Sequence, residues 1–388
     1  MDAKAVARSR IEASRDALVD LSHRIHATPE IGFVEFQSAA TVADALELAG
    51  LRVERGICDL PTAFVARAGS GPLRIAICAE YDALPAVGHA CGHNVIAAAA
   101  VGAGMGLAAV ADGIGAEILV IGTPSEEGGG GKIVLLERGG FDGVNAAMMV
   151  HPTYYETGDM PMIAAGHVTV TYRGKAAHAA QAPHLGVNAA DALVVAQVAL
   201  GLLRQQLPPE IKAHGIVLKG GDAMNIIPHE TVMDYMFRAP TLDDLEGAKA
   251  RILACFQAGA IATGCEMEVV PASPDYAEVR PDADLLALWE RNARALGRKL
   301  WPEAGPSPAQ ASTDMGNVSL AIPSIHPGMS LECYPIVNHQ PEFAAACATP
   351  VADRAVIDGA IGMAWTAIDA ASDSAIRERL LARAYRAG

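Results

Sequence analysis

At 388 residues the chain is long enough for two domains and a large core. Its 44 acidic and 29 basic side chains leave a formal net charge of −15, which disfavours nucleic acids and anionic membranes as partners because both reward basic surfaces. Hydrophobic residues make up 51% of the chain, yet no uninterrupted apolar run approaches the roughly 20 residues needed to span a bilayer.

Residues 1–10 carry charges, and the amphipathic stretch 11–26 that follows offers neither an apolar signal core nor a small-residue cleavage site. The seven cysteines are scattered and odd in number, which fits reduced thiols better than a disulfide framework. Both features point to a cytoplasmic protein. Three apolar stretches, 73–79, 116–121 and 146–150, then read as buried strands. Helical stretches intervene at 95–111 and 132–138, a βαβ rhythm that implies parallel strands. Ligands of such sheets gather outside the carboxyl ends of the strands. The first strand leads to Glu80, Asp82, His89, Cys91 and His93, the second to Glu126 and Glu127, and the third to His151, so these groups are expected at one edge.

From 167 onward the rhythm changes. Residues 167–173 alternate as a strand, 186–206 read as a helix, 216–219 and 231–238 as strands, 242–257 as a helix and 265–270 as a last strand. That order, βαββαβ, is the split pattern of a ferredoxin-like module. It predicts an inserted domain over 166–277 within a discontinuous α/β domain built from 1–165 and 278–388. Beyond it come a helix over 282–296, a loop-rich region ending at His339 and a terminal helical stretch.

Cys91 and His93 taken alone are more often packing than a metal site, and an isolated Glu-Glu pair is usually a solvated face. Their convergence at strand ends reverses that preference. A thiolate, imidazoles and a carboxylate suit zinc, manganese, cobalt or nickel, whereas an all-oxygen shell would suggest magnesium or calcium.

Five stretches occur in order along nearly the whole chain: Ala79-Glu-Tyr-Asp-Ala-Leu-Pro85, His89-Ala-Cys-Gly-His-Asn94, Thr123-Pro-Ser-Glu-Glu-Gly128, Gly174-Lys-Ala-Ala-His178 and Asn225-Ile-Ile-Pro228. Together they resemble the aminoacylase-type metallopeptidase family, in the branch of aminobenzoyl-glutamate, hippurate and auxin-conjugate amidohydrolases. The resemblance implies a mostly parallel-sheet catalytic domain with two divalent transition-metal ions, zinc or manganese first among them. It also implies a lid domain that forms a homodimer, and hydrolysis of a small-molecule amide bearing a carboxylate. By motif, Cys91, His93, Glu127, His151 and His339 match the metal ligands. Glu126 matches the general base that returns its proton to the leaving amine. His178 matches a lid histidine that reaches the developing oxyanion across the dimer, and Asn225 and Arg238 match substrate contacts. A guanidinium fork at Arg238 suits a carboxylate.

Asn94 stands where many relatives have Asp, and is a natural cap for the Ala-rich helix. His89 reads as a supporting group rather than a ligand; Asp82 either orients a ligating imidazole or stabilises the Leu84-Pro85 turn. Tyr154, Tyr155 and His326 fit a pocket lining or plain packing. Three functions remain open: a metal-dependent amidohydrolase acting on N-acyl or N-aminoacyl amino acids, including aminobenzoyl-glutamate-like conjugates and dipeptides; a thiol hydrolase using Cys91; and a catalytically silent metal-binding dimer. The last has no need of an intact Glu126.

Overall fold

A computed structural model of the chain describes residues 2–388. The chain divides into two compact units, one running up to Met162 and resuming over Val279–Gly388, the other formed by Ile163–Glu278. The strands in chain order are β1 (Arg52–Arg55), β2 (Phe64–Gly69), β3 (Leu73–Ala79), β4 (Ala116–Gly122), β5 (Ala146–Met148), β6 (His151–Thr153), β7 (Ala164–Arg173), β8 (Lys212–Lys219), β9 (Glu230–Ala239), β10 (Glu266–Pro271), β11 (Ser324–Ile325) and β12 (Gly328–Ser330).

In the first unit a six-stranded sheet runs β1-β2-β4-β3-β5-β11. Its β4, β3, β5 and β11 are mutually parallel, while β2 joins β4 and β1 joins β2 antiparallel. The continuous apolar sequence of β3 follows from burial on both faces, because successive side chains point to opposite sides. Ile75 and Ile77 enter the core shared with the helix His93–Ala108. Ala76 and Cys78 enter a second core with Leu135 of the helix Gly131–Glu137 and Val318 of the helix Met315–Ala321. The helix His93–Ala108 is apolar all round because the helix Pro350–Ser372 contributes Val356, Ala360 and Ala364 to the same core. The parallel α/β arrangement expected from the sequence is present, extended by the antiparallel β1 and β2 and by the two-residue β11.

The second unit is βαββαβ, with an antiparallel sheet in the order β10-β7-β9-β8. The helices Ala189–Leu203 and Leu242–Thr263 supply Ala196, Leu200, Ile252 and Phe256 to a core with Val168, Val170, Met233 and Phe237. Asn188 caps the first helix through the backbone N–H of Ala190, and Thr241 caps the second through that of Asp244. Among the described residues no helix is long and apolar enough to cross a membrane.

Candidate metal centre

The carboxyl ends of β3, β4 and β5 deliver the expected groups to one edge of the first unit. After β3 come Glu80 and Asp82. Gly92, at φ +80, then turns the chain into the helix that His93 opens, and a Cβ there would lie 2.8 Å from Pro152 Cγ. After β4, Ser125 adopts φ +55, a costly conformation for a residue with a side chain. It is held from both sides: its N–H donates to the buried Glu35 Oε1 at 2.8 Å, and its carbonyl accepts from Gly129 N at 3.1 Å. The glycine run permits this tight loop, since a Cβ at Gly131 would meet the Pro124 carbonyl oxygen at 1.8 Å. His151 begins β6. His339, at φ +71, is anchored by its own N–H to the Ala90 carbonyl at 2.9 Å, beside Cys91.

These segments bring Cys91, His93, Glu126, Glu127, His151 and His339 together. Cys91 Sγ lies 3.6 Å from His151 Nε2 and 3.6 Å from His339 Nε2. His339 Nε2 is 3.8 Å from Glu127 Oε2, and His93 Nε2 is 3.8 Å from Glu127 Oε1 and 3.9 Å from Glu126 Oε2. Two donor sets result, Cys91–His93–His151 and Cys91–Glu127–His339, with the thiol common to both. His339 is the most exposed of the six, its side chain 59% accessible.

A divalent ion fits this arrangement. With metal–sulfur and metal–nitrogen bonds of about 2.3 and 2.0–2.1 Å at a tetrahedral angle, the sulfur–nitrogen separation comes to about 3.6 Å. The imidazoles are presented correctly as well. His151 Nδ1–H donates to the Pro152 carbonyl at 2.7 Å and His93 Nδ1–H to Asp82 Oδ1 at 2.9 Å, which turns both Nε2 lone pairs toward the cluster. His93 Nε2 and Glu127 Oε1 are buried without hydrogen-bond partners. Around them Glu80, Asp82, Glu126, Glu127 and Asp314 set five carboxyls against one ammonium, that of Lys132.

The electrostatics describe a site short of positive charge. Burial, then the neighbouring Glu80, Glu127 and Asp314 carboxyls, pushes Glu126 well above the usual carboxylate range. Burial raises Glu127 and the Cys91 thiol. Burial pulls His93 down, but Asp82 and Glu80 outweigh it and hold its pKa well above the ordinary value. His151 is pushed down to about 4 by burial, so its ring is neutral and free to ligate. Cations in the cluster would relieve the acidic groups and displace the proton from His93.

The other sequence-predicted residues fall around this centre. Asp82 does more than support a turn: besides His93 it accepts the N–H of Glu127 on Oδ2 at 3.0 Å. His89 is buried beside His26, with ring centroids 6.3 Å apart, and burial pushes it down to about 3. The capping role expected of Asn94 is not what the structure shows. Gly92 occupies the cap position, and Asn94, already inside the helix, donates to Ser22 Oγ at 2.8 Å and to the Cys347 carbonyl at 2.9 Å. His326, at the end of β11, is buried with its ring 5.4 Å from that of His151. Tyr154 packs edge-on against Tyr155. The sequence did not single out Glu35, Lys132 or Asp314: Lys132 sits in an apolar helical run, and no local pattern marks a buried partner far along the chain.

In the second unit His178 and Asn225 are neighbours. The segment around His178 pairs with Ile226, and Ala179 N donates to the Asn225 carbonyl at 3.0 Å. His178 Nδ1 accepts from the N–H groups of Ala180 and Gln181 at 3.2 and 3.1 Å, which fixes the tautomer protonated at Nε2. Arg238 ends β9 half-buried, and burial lowers its pKa.

Residues 162–263 match the peptidase dimerisation domain. The chain is similar to the Xaa-Arg dipeptidase of Mus musculus, with 37% identity over an alignment of 390 residues that covers 96% of this chain and 90% of that protein. It is also similar to one of the polypeptides of the p-aminobenzoyl-glutamate hydrolase of Escherichia coli, with 32% identity over 66% of this chain and 58% of that protein. Among solved structures, a dinuclear metal-binding peptidase of the M20 family from Bacillus subtilis superposes with a TM-score of 0.69, 20% identity, and coverage of 93% of this chain and 99% of that one.

Proposed function

The chain belongs to the M20 peptidase family, and on that premise we propose that it hydrolyses the amide bond of N-acyl amino acids and dipeptides, aminobenzoyl-glutamate-like conjugates among them. Two divalent transition-metal ions, zinc or manganese first, would be held by Cys91, His93, Glu127, His151 and His339. The observation that carries this is the pair of 3.6 Å separations from Cys91 Sγ to the two Nε2 atoms.

Such ions, when bound, supply Lewis acidity that polarises a carbonyl and acidifies water. The chain's own residues do the rest. Glu126, buried beside His93, takes a proton from the attacking water on its carboxylate and returns it to the leaving amine. Glu127, its backbone tied to Asp82, stays with the metals. His178 Nε2–H is a fixed donor for a developing oxyanion, supplied to the partner copy. Arg238 forks the substrate carboxylate, with Asn225 as a further polar contact.

The unit that ends at Met162 and resumes over Val279–Gly388 is the catalytic domain, and Ile163–Glu278, a few residues wider than the 166–277 expected from the sequence, is the lid and dimerisation domain. The edge strand β8 supports association with a second copy: Ile216, Val217 and Leu218 are exposed on it, and Val194, Val198 and Leu202 are exposed on one face of the helix Ala189–Leu203. An unpaired apolar edge is a template for pairing. A cytoplasmic location keeps Cys91 reduced. Cys91 itself is a poor nucleophile, because burial raises its thiol instead of activating it.

Stripping the purified protein with chelator and reconstituting it with zinc, manganese, cobalt or nickel, against a panel of N-acyl amino acids, dipeptides and aminobenzoyl-glutamate, tests the assignment. Activity is expected to vanish and return with metal. Full turnover in a metal-free preparation would refute it.

A further inference from the structure

Behind the donor cluster lies a buried ionic triad that the roles above leave unused. Lys132, Glu80 and Asp314 are all inaccessible to solvent. Lys132 Nζ donates to Glu80 Oε1 at 2.5 Å and to Asp314 Oδ1 at 2.7 Å, and the Lys132 backbone N–H donates to Asp314 Oδ2 at 2.9 Å. Asp314 is therefore satisfied on both oxygens, but Glu80 is not. Its Oε2 is buried without a hydrogen-bond partner and lies 3.3 Å from His93 Nε2, which is equally buried and unpartnered. Glu80, His93 and Glu126 together form a third set of donors within 4.8 Å of one another.

A triad kept only for stability would be a poor use of the interior, since apolar residues of similar volume usually serve at least as well as a buried ion pair. What an ammonium clamp does accomplish is orientation. With Oε1 committed to Lys132, Glu80 has one free oxygen and one direction in which to offer it. We propose that Glu80 is a sixth protein donor of the metal centre, contributing Oε2 to the ion that His93 holds, and that Lys132 and Asp314 position it. This rests on the metal-dependent function set out above.

Glu80→Gln preserves shape and still accepts from Lys132, while replacing the charged oxygen that faces His93 by a neutral group. Titration of the chelator-stripped protein with cobalt, followed by d–d absorption and by competition with a chromophoric chelator, should show two ions for the wild type. In Glu80→Gln one of them should be weakened at least tenfold, with an altered spectrum. Glu80→Asp, which keeps the charge but retracts it, should fall between the two. Asp314→Asn, which loosens the clamp from its far side and leaves Glu80 charged, should shift the cobalt spectrum in the same direction as Glu80→Gln and weaken the same ion, but by less. Folded Glu80→Gln that binds both ions with wild-type affinity and spectrum would reduce the triad to a structural ion pair and overturn the proposal. A wild type that binds no ion would instead remove the metal-dependent function on which it stands.

Discussion

Asp82 Oδ1 lies 2.9 Å from His93 Nδ1, and both side chains are buried. That contact sets the ring so that Nε2 faces the cluster, and the second oxygen of the same carboxylate fixes the backbone of Glu127. One side chain thus orients two candidate ligands from different loops. An amide at this position cannot accept from both N–H groups at once without turning its own NH2 toward one of them. Asp82→Asn should lower metal affinity by about 10- to 100-fold, the usual effect of losing such a partner. Unchanged affinity by chelator competition would remove Asp82 from this role.

The adjacent glutamates separate by what they lose. Glu126→Gln should keep its metal and fall in turnover by roughly a hundredfold or more, the typical contribution of a positioned proton-transfer group. Glu127→Gln should instead lose metal, because its two carboxylate oxygens face the two imidazoles, Oε1 lying 3.8 Å from His93 Nε2 and Oε2 3.8 Å from His339 Nε2. Elemental analysis beside a turnover assay decides it. Near-normal turnover in Glu126→Gln would show the base to be elsewhere.

Much of this site was legible because parallel strands impose a rule: whatever follows β3, β4 and β5 must collect at their carboxyl ends. The positions of Cys91, His93, Glu126, Glu127 and His151 needed only that rule and three apolar runs. His339 follows no strand and could be picked out only by resemblance, since a left-handed loop residue anchored to Ala90 leaves no periodic trace. Glu80 was placed at the right edge, yet its role depends on Lys132 and Asp314, which meet it only in three dimensions. β1 and β2 went unseen because their short, mixed sequences carry no clear alternation, and β11 is two residues long.

Glu35 links the loop of Ser125 to pH. Burial raises its carboxyl from 4.5 to about 7, against the lowering effect of its backbone hydrogen bonds. Because the folded state binds this proton more tightly than the unfolded chain, the stabilisation is fully present below about pH 4.5 and is lost as pH rises through about 7. Glu35→Gln cannot ionise. In the metal-free protein the melting temperature of the wild type should therefore fall relative to that of the variant between pH 4.5 and 7, and run parallel to it above. Parallel curves across the whole range would mean that Glu35 does not titrate there.

Arg238 ends β9 with a half-buried guanidinium, a setting in which a planar fork can meet a carboxylate with little competition from water. Arg238→Ala should reduce kcat/KM for carboxylate-bearing substrates by about 1.5–3 kcal/mol, the range of charge-assisted hydrogen bonds. Amidating the substrate carboxylate should blunt the effect. Equal losses for both substrate types would exclude the anchoring role.

His178 offers the sharpest test of a shared site. Its Nδ1 is capped by two backbone N–H groups, so Nε2 can only donate, which suits an oxyanion and not a proton acceptor. If that donor serves the partner, each working site needs Glu126 from one copy and His178 from the other. Neither a His178→Ala homodimer nor a Glu126→Ala homodimer should then turn over appreciably. In a mixed dimer, the site built on the His178→Ala copy keeps its own Glu126 and borrows an intact His178. Equal amounts reassorting at random give about half mixed dimers, each with one competent site, so roughly a quarter of wild-type activity should return. Verified subunit exchange without recovery would confine His178 to its own chain.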